Sequence, residues 1–261
     1  TDALLYLPFD GPTPHKTDFH VNTNGHLGQE ATVSGGVVGR PGRFGKAVQV
    51  AEYTKNYINN PIFENGVGID WSMNGSTITR TQSSDYSVFG NYSAKLNNDG
   101  GTWGYIESDS MYLNDGEACT ASVYVRRVES TGSNPHLSIW EGGSKQADVA
   151  ATSACYGDWE RLILTYTNNT GAQQSLQVRL IMSYVDGDTY WDGVQLEKLD
   201  HPTPLCHGDM GDGHSWLGTP HSGNCERTAA KLGYNIDAKA PFSIGGWFTY
   251  WWGPEDYASG G

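Results

Sequence analysis

The sequence predicts an all-β protein made of two β-sandwich (jelly-roll) domains, one inserted in the other. Three observations lead there. Apolar and polar residues alternate with a period of two, clusters of turn-forming residues separate the alternating runs, and a segment from about 56 to 199 reads as a complete module that interrupts another. The expected boundaries are 1–55 and 200–261 for the interrupted, incomplete sandwich and 56–199 for the insert. Two units of that size fit a chain of 261 residues.

Taken in chain order, GRPGRFGKAVQVAEYTKNYINNP (39–61) supplies one half of the interrupted sheet. In 118–126, Cys119, Ala121, Val123 and Val125 point one way while Thr120, Ser122, Tyr124 and Arg126 point the other, the pattern of a half-buried strand. In 175–183, Leu176, Val178, Leu180 and Met182 alternate with Ser175, Gln177, Arg179 and Ile181. Segments 160–166 and 189–197 repeat the pattern, and Asn168-Asn169-Thr170-Gly171 and Asp186-Gly187-Asp188 supply turns. Glu226 to Leu232 is the one helix-like stretch. The second half of the interrupted sheet is expected in 226–252, where FSIGGWFTYWW (242–252) sets Phe242, Ile244, Phe248, Tyr250 and Trp252 against Trp247 and Trp251. Aromatic on both faces, this run needs cover on both sides, so the expectation is a polypeptide that continues past Gly261 or a neighbouring subunit that covers it.

Charge and motifs narrow the function. A formal charge of −13 without a Lys/Arg run opposes a phosphate backbone, so nucleic acid is not an expected partner. No apolar stretch approaches the ~20 residues of a membrane span, and membrane is not expected either. The chain opens on Thr1-Asp2 without Met or an apolar leader, the expectation being a processed start or a place inside a longer product. Enzyme signatures fail. There is no Glu-x-Asp-x-x-Glu strand, and Asp192 and Glu197 are separated by an odd number, which puts them on opposite faces of a regular strand. Neither Gly-x-Ser-x-Gly nor His-Glu-x-x-His occurs, and GRPGRFGKA (39–47) has Ala47 where a phosphate loop needs a hydroxyl. The glycosylation sequons at Asn74, Asn91 and Asn168 read as chance in an Asn/Ser/Thr-rich chain.

Two sets of residues carry a family resemblance. YINNPIFENGVGIDWSMNGSTITRTQSSDYSVFGNYSAKLNN (57–98) resembles the opening of a family 4/9-type carbohydrate-binding module, and TYWDGVQLEKLDHPTP (189–204) resembles its last strand. The flanks LLYLPFDG (4–11), GRFGKAVQV (42–50) and SWLGTPHSGNCERTAAKL (215–232) resemble laminin-G/concanavalin-like sandwiches of phage minor structural and tail proteins, through Trp216, Gly218, Thr219, His221 and Arg227. Together they imply a non-enzymatic virion surface protein, extracellular, active in capsid decoration or tail-fibre adhesion. Its expected partners are other virion proteins, copies of itself in a homo-oligomer, and cell-surface glycans. The alternative is a carbohydrate-binding fragment of a secreted polysaccharide-degrading enzyme, or a bacterial surface adhesin.

The resemblance also implies sites. Glu64 and Asp192 match positions of a structural calcium ion, against the plainer reading of a hydrogen-bonded Asp. Sugar binding needs rings for CH faces and polar groups for hydroxyls, and the candidates are Trp71, Trp103, Tyr105, Trp140 and Tyr124 with Arg126, Glu141 and Gln177, against the plainer readings that Trp71 and Tyr105 fill the core and that the module is a rigid spacer without a sugar. Disulfides are expected among Cys119, Cys155, Cys206 and Cys225. A bond between the last two would close about 20 residues around HGDMGDGHSWLGTPHSGN and stabilise by ~3 kcal/mol. Free thiols are one alternative; a zinc site from Cys206, His207, His214, His221 and Cys225 is another, which no Cys-x-x-Cys spacing supports. Asp209 and Asp212 in that loop read as a cation site or a solvated turn.

Overall fold

The computed structural model describes residues 31–34, 37–41, 46–49, 52–75, 78–98, 103–128, 132–183, 187–211, 213–229 and 231–234, the strands at 31–49 and 231–234 by their backbone alone. The strands begin with β1 (Ala31–Ser34), β2 (Val37–Pro41), β3 (Lys46–Gln49), β4 (Thr54–Asn56), β5 (Trp71–Asn74), β6 (Ile78–Ser83), β7 (Ser93–Asn98), β8 (Trp103–Ser108) and β9 (Met111–Leu113). They continue with β10 (Ala118–Arg127), β11 (His136–Glu141), β12 (Ser144–Ala150), β13 (Glu160–Thr167), β14 (Gln174–Ser183), β15 (Gly187–Glu197), β16 (His214–Trp216), β17 (Cys225–Arg227) and β18 (Lys231–Tyr234). The helical content of the described residues is a single 3-10 turn at Ser153–Cys155, so no helix there is long and apolar enough to cross a membrane.

The protein is an all-β sandwich. A five-stranded antiparallel sheet in the order β13-β10-β15-β7-β6 faces a six-stranded sheet, β12-β11-β14-β8-β5 with β9 beside β14. The alternation in the sequence makes the core. From the first sheet come Cys119, Ala121, Val123 and Val125 of β10 with Trp191, Val194 and Leu196 of β15; from the second come Leu176, Val178, Leu180 and Met182 of β14 with Leu137 and Ile139 of β11. Each fully buried Leu, Ile or Val contributes about 1.5–3 kcal/mol relative to exposure.

One bulge changes the reading of β15. Tyr124 of β10 pairs with Asp192, whereas Ser122 pairs with Gln195, so an extra residue is accommodated around Gly193. Gly193 has φ 61°, and a Cβ there would lie 2.7 Å from the Phe89 ring. The bulge reverses parity along the strand. Trp191, Val194 and Leu196 face the core, while Asp192, Gln195 and Glu197 face away from it. Asp192 and Glu197 therefore share a face, and Asp192 does not share one with Val194 and Leu196, contrary to the expectation for a regular strand.

The outer face of the five-stranded sheet is covered. Phe89 packs on Tyr124 with ring centroids 5.5 Å apart, and Glu197 accepts from Thr54 Oγ1 (2.7 Å), Thr203 N (2.8 Å) and Gln195 Nε2 (2.9 Å). Outside the sandwich, β4 pairs antiparallel with β17 and β17 with β16, β1 pairs with β18, and β2 with β3. The helix-like stretch from Glu226 is thus a correction. Cys225–Arg227 and Lys231–Tyr234 are strands, with Cys225 and Arg227 buried on either side of half-buried Glu226. The aromatic run 242–252 and the N-terminal segment 4–11 lie outside the described residues.

Candidate functional site

Among the described residues no strand covers the outer face of the six-stranded sheet, and antiparallel register lays its side chains out in rungs. Asn74, Tyr105, Ile181, His136 and Ala150 stand opposite one another across β5, β8, β14, β11 and β12. The adjacent rung is Ser72, Glu107, Arg179, Ser138 and Asp148. Flanking these two rungs, Trp103 starts β8, and Trp140 on β11 stands opposite Gln177 and Lys145. Trp103, His136, Trp140, Lys145, Asp148 and Ile181 line a cleft of about 350 Å³.

The polar rung is internally paired. Glu107 Oε1 accepts from Ser72 Oγ at 3.1 Å, and Oε2 accepts from Arg179 Nε at 2.8 Å. The Arg179 guanidinium lies over both aromatic neighbours, 4.3 Å from the Tyr105 ring centroid and 4.1 Å from that of Trp140. At the other end, Asp148 accepts from Ser138 Oγ and lies 2.9 Å from His136 Nδ1 and 3.5 Å from Lys145 Nζ. Burial alone would raise the Asp148 carboxyl, but the hydrogen bonds from Ser138 and His136 and the charges of His136 and Lys145 hold it below its ordinary value. Two permanent cations thus meet two carboxylates.

The rings differ in access. Trp103 is 41% exposed and meets Tyr105 edge-on with centroids 4.7 Å apart, whereas Tyr105 is 5% exposed. The broad exposed ring of Trp103 and the half-buried ring of Trp140, over a row of fixed hydrogen-bonding groups, can stack on CH faces and grip hydroxyls.

The structure divides the sequence candidates. Trp103, Trp140 and Gln177 come together on this face, with Gln177 Nε2 donating to Ser108 O at 3.2 Å. Tyr124 and Arg126 lie on the other sheet's outer face: Tyr124 is buried under Phe89, and Arg126 covers the Tyr86 ring at 4.2 Å. Alternation turns Glu141 away from Trp140, and its Oε2 accepts from Gln174 Nε2 at 2.6 Å. Trp71 fills the core. Tyr105, a candidate whose plainer reading was core, is buried on this same face beneath Trp103, and Glu107, Arg179, His136, Ser138 and Asp148 were not candidates. Their signal was the alternation His136, Ser138, Trp140 ahead of the Gly142-Gly143 turn, and Arg179 two residues from Gln177.

Glu64 and Asp192 act as a clamp. Glu64 Oε1 accepts from Asn91 N (2.7 Å) and Tyr92 N (2.9 Å), Asp192 Oδ2 accepts from Val88 N (2.7 Å) and Phe89 N (2.8 Å), and Asp192 Oδ1 accepts from Gly193 N (2.7 Å). Amide hydrogens point at Glu64 Oε1 and at both Asp192 oxygens, so the two carboxylates clamp the 88–92 segment. Burial pushes the Asp192 carboxyl up to about 8, against the pull of its three amide donors and with a further rise from the Glu64 charge. Among the described residues no group of three or more His, Cys, Asp or Glu could hold a metal ion. In the 206–225 loop, Asp209 accepts from Trp216 Nε1 (2.9 Å) and pairs with His221 Nε2 (3.2 Å), while Asp212 lies outside the described residues.

All four cysteines are buried and stand as thiols in this structure. Cys119 and Cys155 are kept apart by β10. Cys155 adjoins Tyr156, which bridges Arg127 at the far end of that strand, and Cys119 is eight residues back at about 3.3 Å per residue. Cys206 and Cys225 are neighbours: Cys225 Sγ donates to Cys206 O at 3.0 Å.

No protein-family model and no curated protein sequence matches this chain. Among solved structures, it is similar to a Stig cyclase, Fisc, from Fischerella sp. TAU, at 16% identity and TM-score 0.46 over 56% of this chain and 98% of that one. It is also similar to the CBM22-1 xylan-binding domain of Paenibacillus barcinonensis Xyn10C, at 17% identity and TM-score 0.44 over 58% of this chain and 99% of that one. A third likeness is to the CBM22-1-GH10 modules of Clostridium thermocellum xylanase 10B, at 14% identity and TM-score 0.45 over 60% of this chain and 31% of that one. At such distances no ligand or activity carries over.

Proposed function

We propose that this chain is a non-catalytic carbohydrate-binding protein that holds a neutral glycan across the open face of its six-stranded sheet. One observation carries the reading: the exposed Trp103 and the half-buried Trp140 line one cleft, over a polar rung whose charges are already paired. Five strands at about 4.8 Å spacing give a floor roughly 19 Å wide, enough for a short oligosaccharide. Among the described residues of the cleft, Arg179 pairs with Glu107 and Lys145 with Asp148, which leaves neither cation free for an acidic sugar, whereas their remaining donor and acceptor positions suit hydroxyls.

The virion role expected from the flanks draws no support from this cleft. A binding unit of the kind that accompanies polysaccharide-degrading enzymes, or that serves a surface adhesin, suits it better. In this reading the sandwich is an insert between the flanking strands. The test is calorimetric titration with neutral glucan, mannan and xylan oligosaccharides alongside polygalacturonate. Binding of a neutral oligosaccharide that Trp103→Ala and Trp140→Ala each weaken tenfold or more, with Tyr53→Ala unchanged, supports the proposal. Binding that survives both substitutions, or preference for polygalacturonate, overturns it.

A further inference from the structure

Cys206 and Cys225 meet at the rung where the flanking strands join the sandwich. Cys225 opens β17 directly opposite Asn56 of β4. The Asn56 side chain in turn ties this rung to β15, donating to Val194 O at 2.9 Å and accepting from Leu196 N at 3.1 Å. Cys206 is held beside it, its N donating to Gln195 Oε1 at 2.7 Å and its carbonyl accepting from Asn56 Nδ2 (3.3 Å) and Cys225 Sγ (3.0 Å). The two thiols share a hydrogen bond, and both side chains are fully buried. Two buried thiols that hydrogen-bond to each other, on backbones fixed by separate hydrogen bonds, lie side by side where a covalent link could form.

We infer that Cys206 and Cys225 are a disulfide site, oxidised while the chain folds in the presence of a disulfide oxidant such as oxidised glutathione. One protein thiolate attacks the glutathione S–S bond, forming a mixed disulfide and releasing one glutathione thiolate. The second protein thiolate attacks the protein-side sulfur of that mixed disulfide and releases the other. Two protein thiols are oxidised and one glutathione disulfide is reduced to two glutathione thiols. The bond closes a loop between positions 19 apart and fastens β17 to the segment that leaves β15. The neighbouring Cys206 sulfur and burial push the Cys225 thiol far up, and both sulfurs are closed to solvent, so the reaction belongs to folding or to local opening. Cys119 and Cys155, with β10 between them, stay reduced.

The experiment is refolding of the full chain in a glutathione redox buffer, followed by alkylation, intact mass and peptide mapping, and thermal melting with and without reductant. The expected result is a species lighter by two hydrogens, with residues 206 and 225 in one linked peptide, Cys119 and Cys155 alkylated, and a melting midpoint that falls on reduction. A Cys119→Ser/Cys155→Ser variant should keep that fall, and a Cys206→Ser/Cys225→Ser variant, compared with reduced wild type, should lack it. Four alkylated thiols after redox equilibration, or a link that includes Cys119 or Cys155, overturns the inference. So does a melting midpoint indifferent to reductant in the linked protein. None of these readouts involves sugar, so failure here is separate from failure of the binding proposal.

Discussion

Arg179 stacks on Trp140, the guanidinium carbon 4.1 Å from the ring centroid, and in this position fixes one wall of the cleft. Its Nε is simultaneously committed to Glu107, so the ring, the cation and the carboxylate hold one another. Arg179→Ala should therefore loosen Trp140 and leave Glu107 with Ser72 but without its cationic partner. The expected outcome is a three- to tenfold loss of glycan affinity and about 1–2 kcal/mol of stability. Arg179→Lys should recover only part of either, because an ammonium cannot reproduce the planar stack. Titration calorimetry and urea unfolding on the two variants measure this.

Asp192 should make stability depend on pH. Its folded carboxyl titrates near 8, above the unfolded value of 3.8, so the native state holds an extra proton between those limits. Stability from this group is present below about pH 4 and is lost as pH rises toward 8, by at most ~1.4 kcal/mol per unit. Asp192→Asn should flatten that part of the profile. Urea unfolding of both proteins at intervals from pH 4 to 9 checks the sign.

The Glu64 clamp makes a prediction about calcium. Because the amides of Asn91 and Tyr92 already satisfy Glu64 Oε1, chelation should not move the melting temperature, and millimolar calcium should not raise it. Glu64→Ala should cost about 1–3 kcal/mol and speed amide exchange at Asn91 and Tyr92. Melting in chelator and in calcium, with hydrogen exchange by mass spectrometry, provides the comparison.

Gly193 should tolerate no side chain. Alanine there would meet the Phe89 ring at 2.7 Å with φ held at 61°, adding overpacking to a left-handed backbone. The expected loss is roughly 2–4 kcal/mol. Equilibrium unfolding of Gly193→Ala measures it, and Phe89→Leu in the same background should restore part of the loss.

The sandwich was legible where the alternation is regular. β10 and β14 place on the core the residues that period two assigns to it, because a single apolar partner sheet rewards one face only. At Gly193 legibility failed, since one inserted residue inverts every face beyond it and the only local sign of the insertion was a glycine inside an alternating run. The candidate site was half legible for a related reason. Alternation identified the outward residues of each strand but not the sheet each strand joins, so Tyr124 and Arg126 were grouped with Trp103 and Trp140 although a whole core separates them. The pairing that places Arg179 between Glu107 and Ser138 is a matter of register between strands far apart in sequence, which composition and periodicity do not encode.

The short pairing of β4 with β17 has a mechanical consequence. Thr54 stands opposite Arg227 and Asn56 opposite Cys225, so the chain enters and leaves the sandwich side by side. Tension applied to the chain outside this pair pulls both strands from the same end and opens the rungs in succession, Thr54 with Arg227 first. The load meets that seam first, and the two large sheets with their cleft feel it through the bonds of Thr54 and Asn56 to β15.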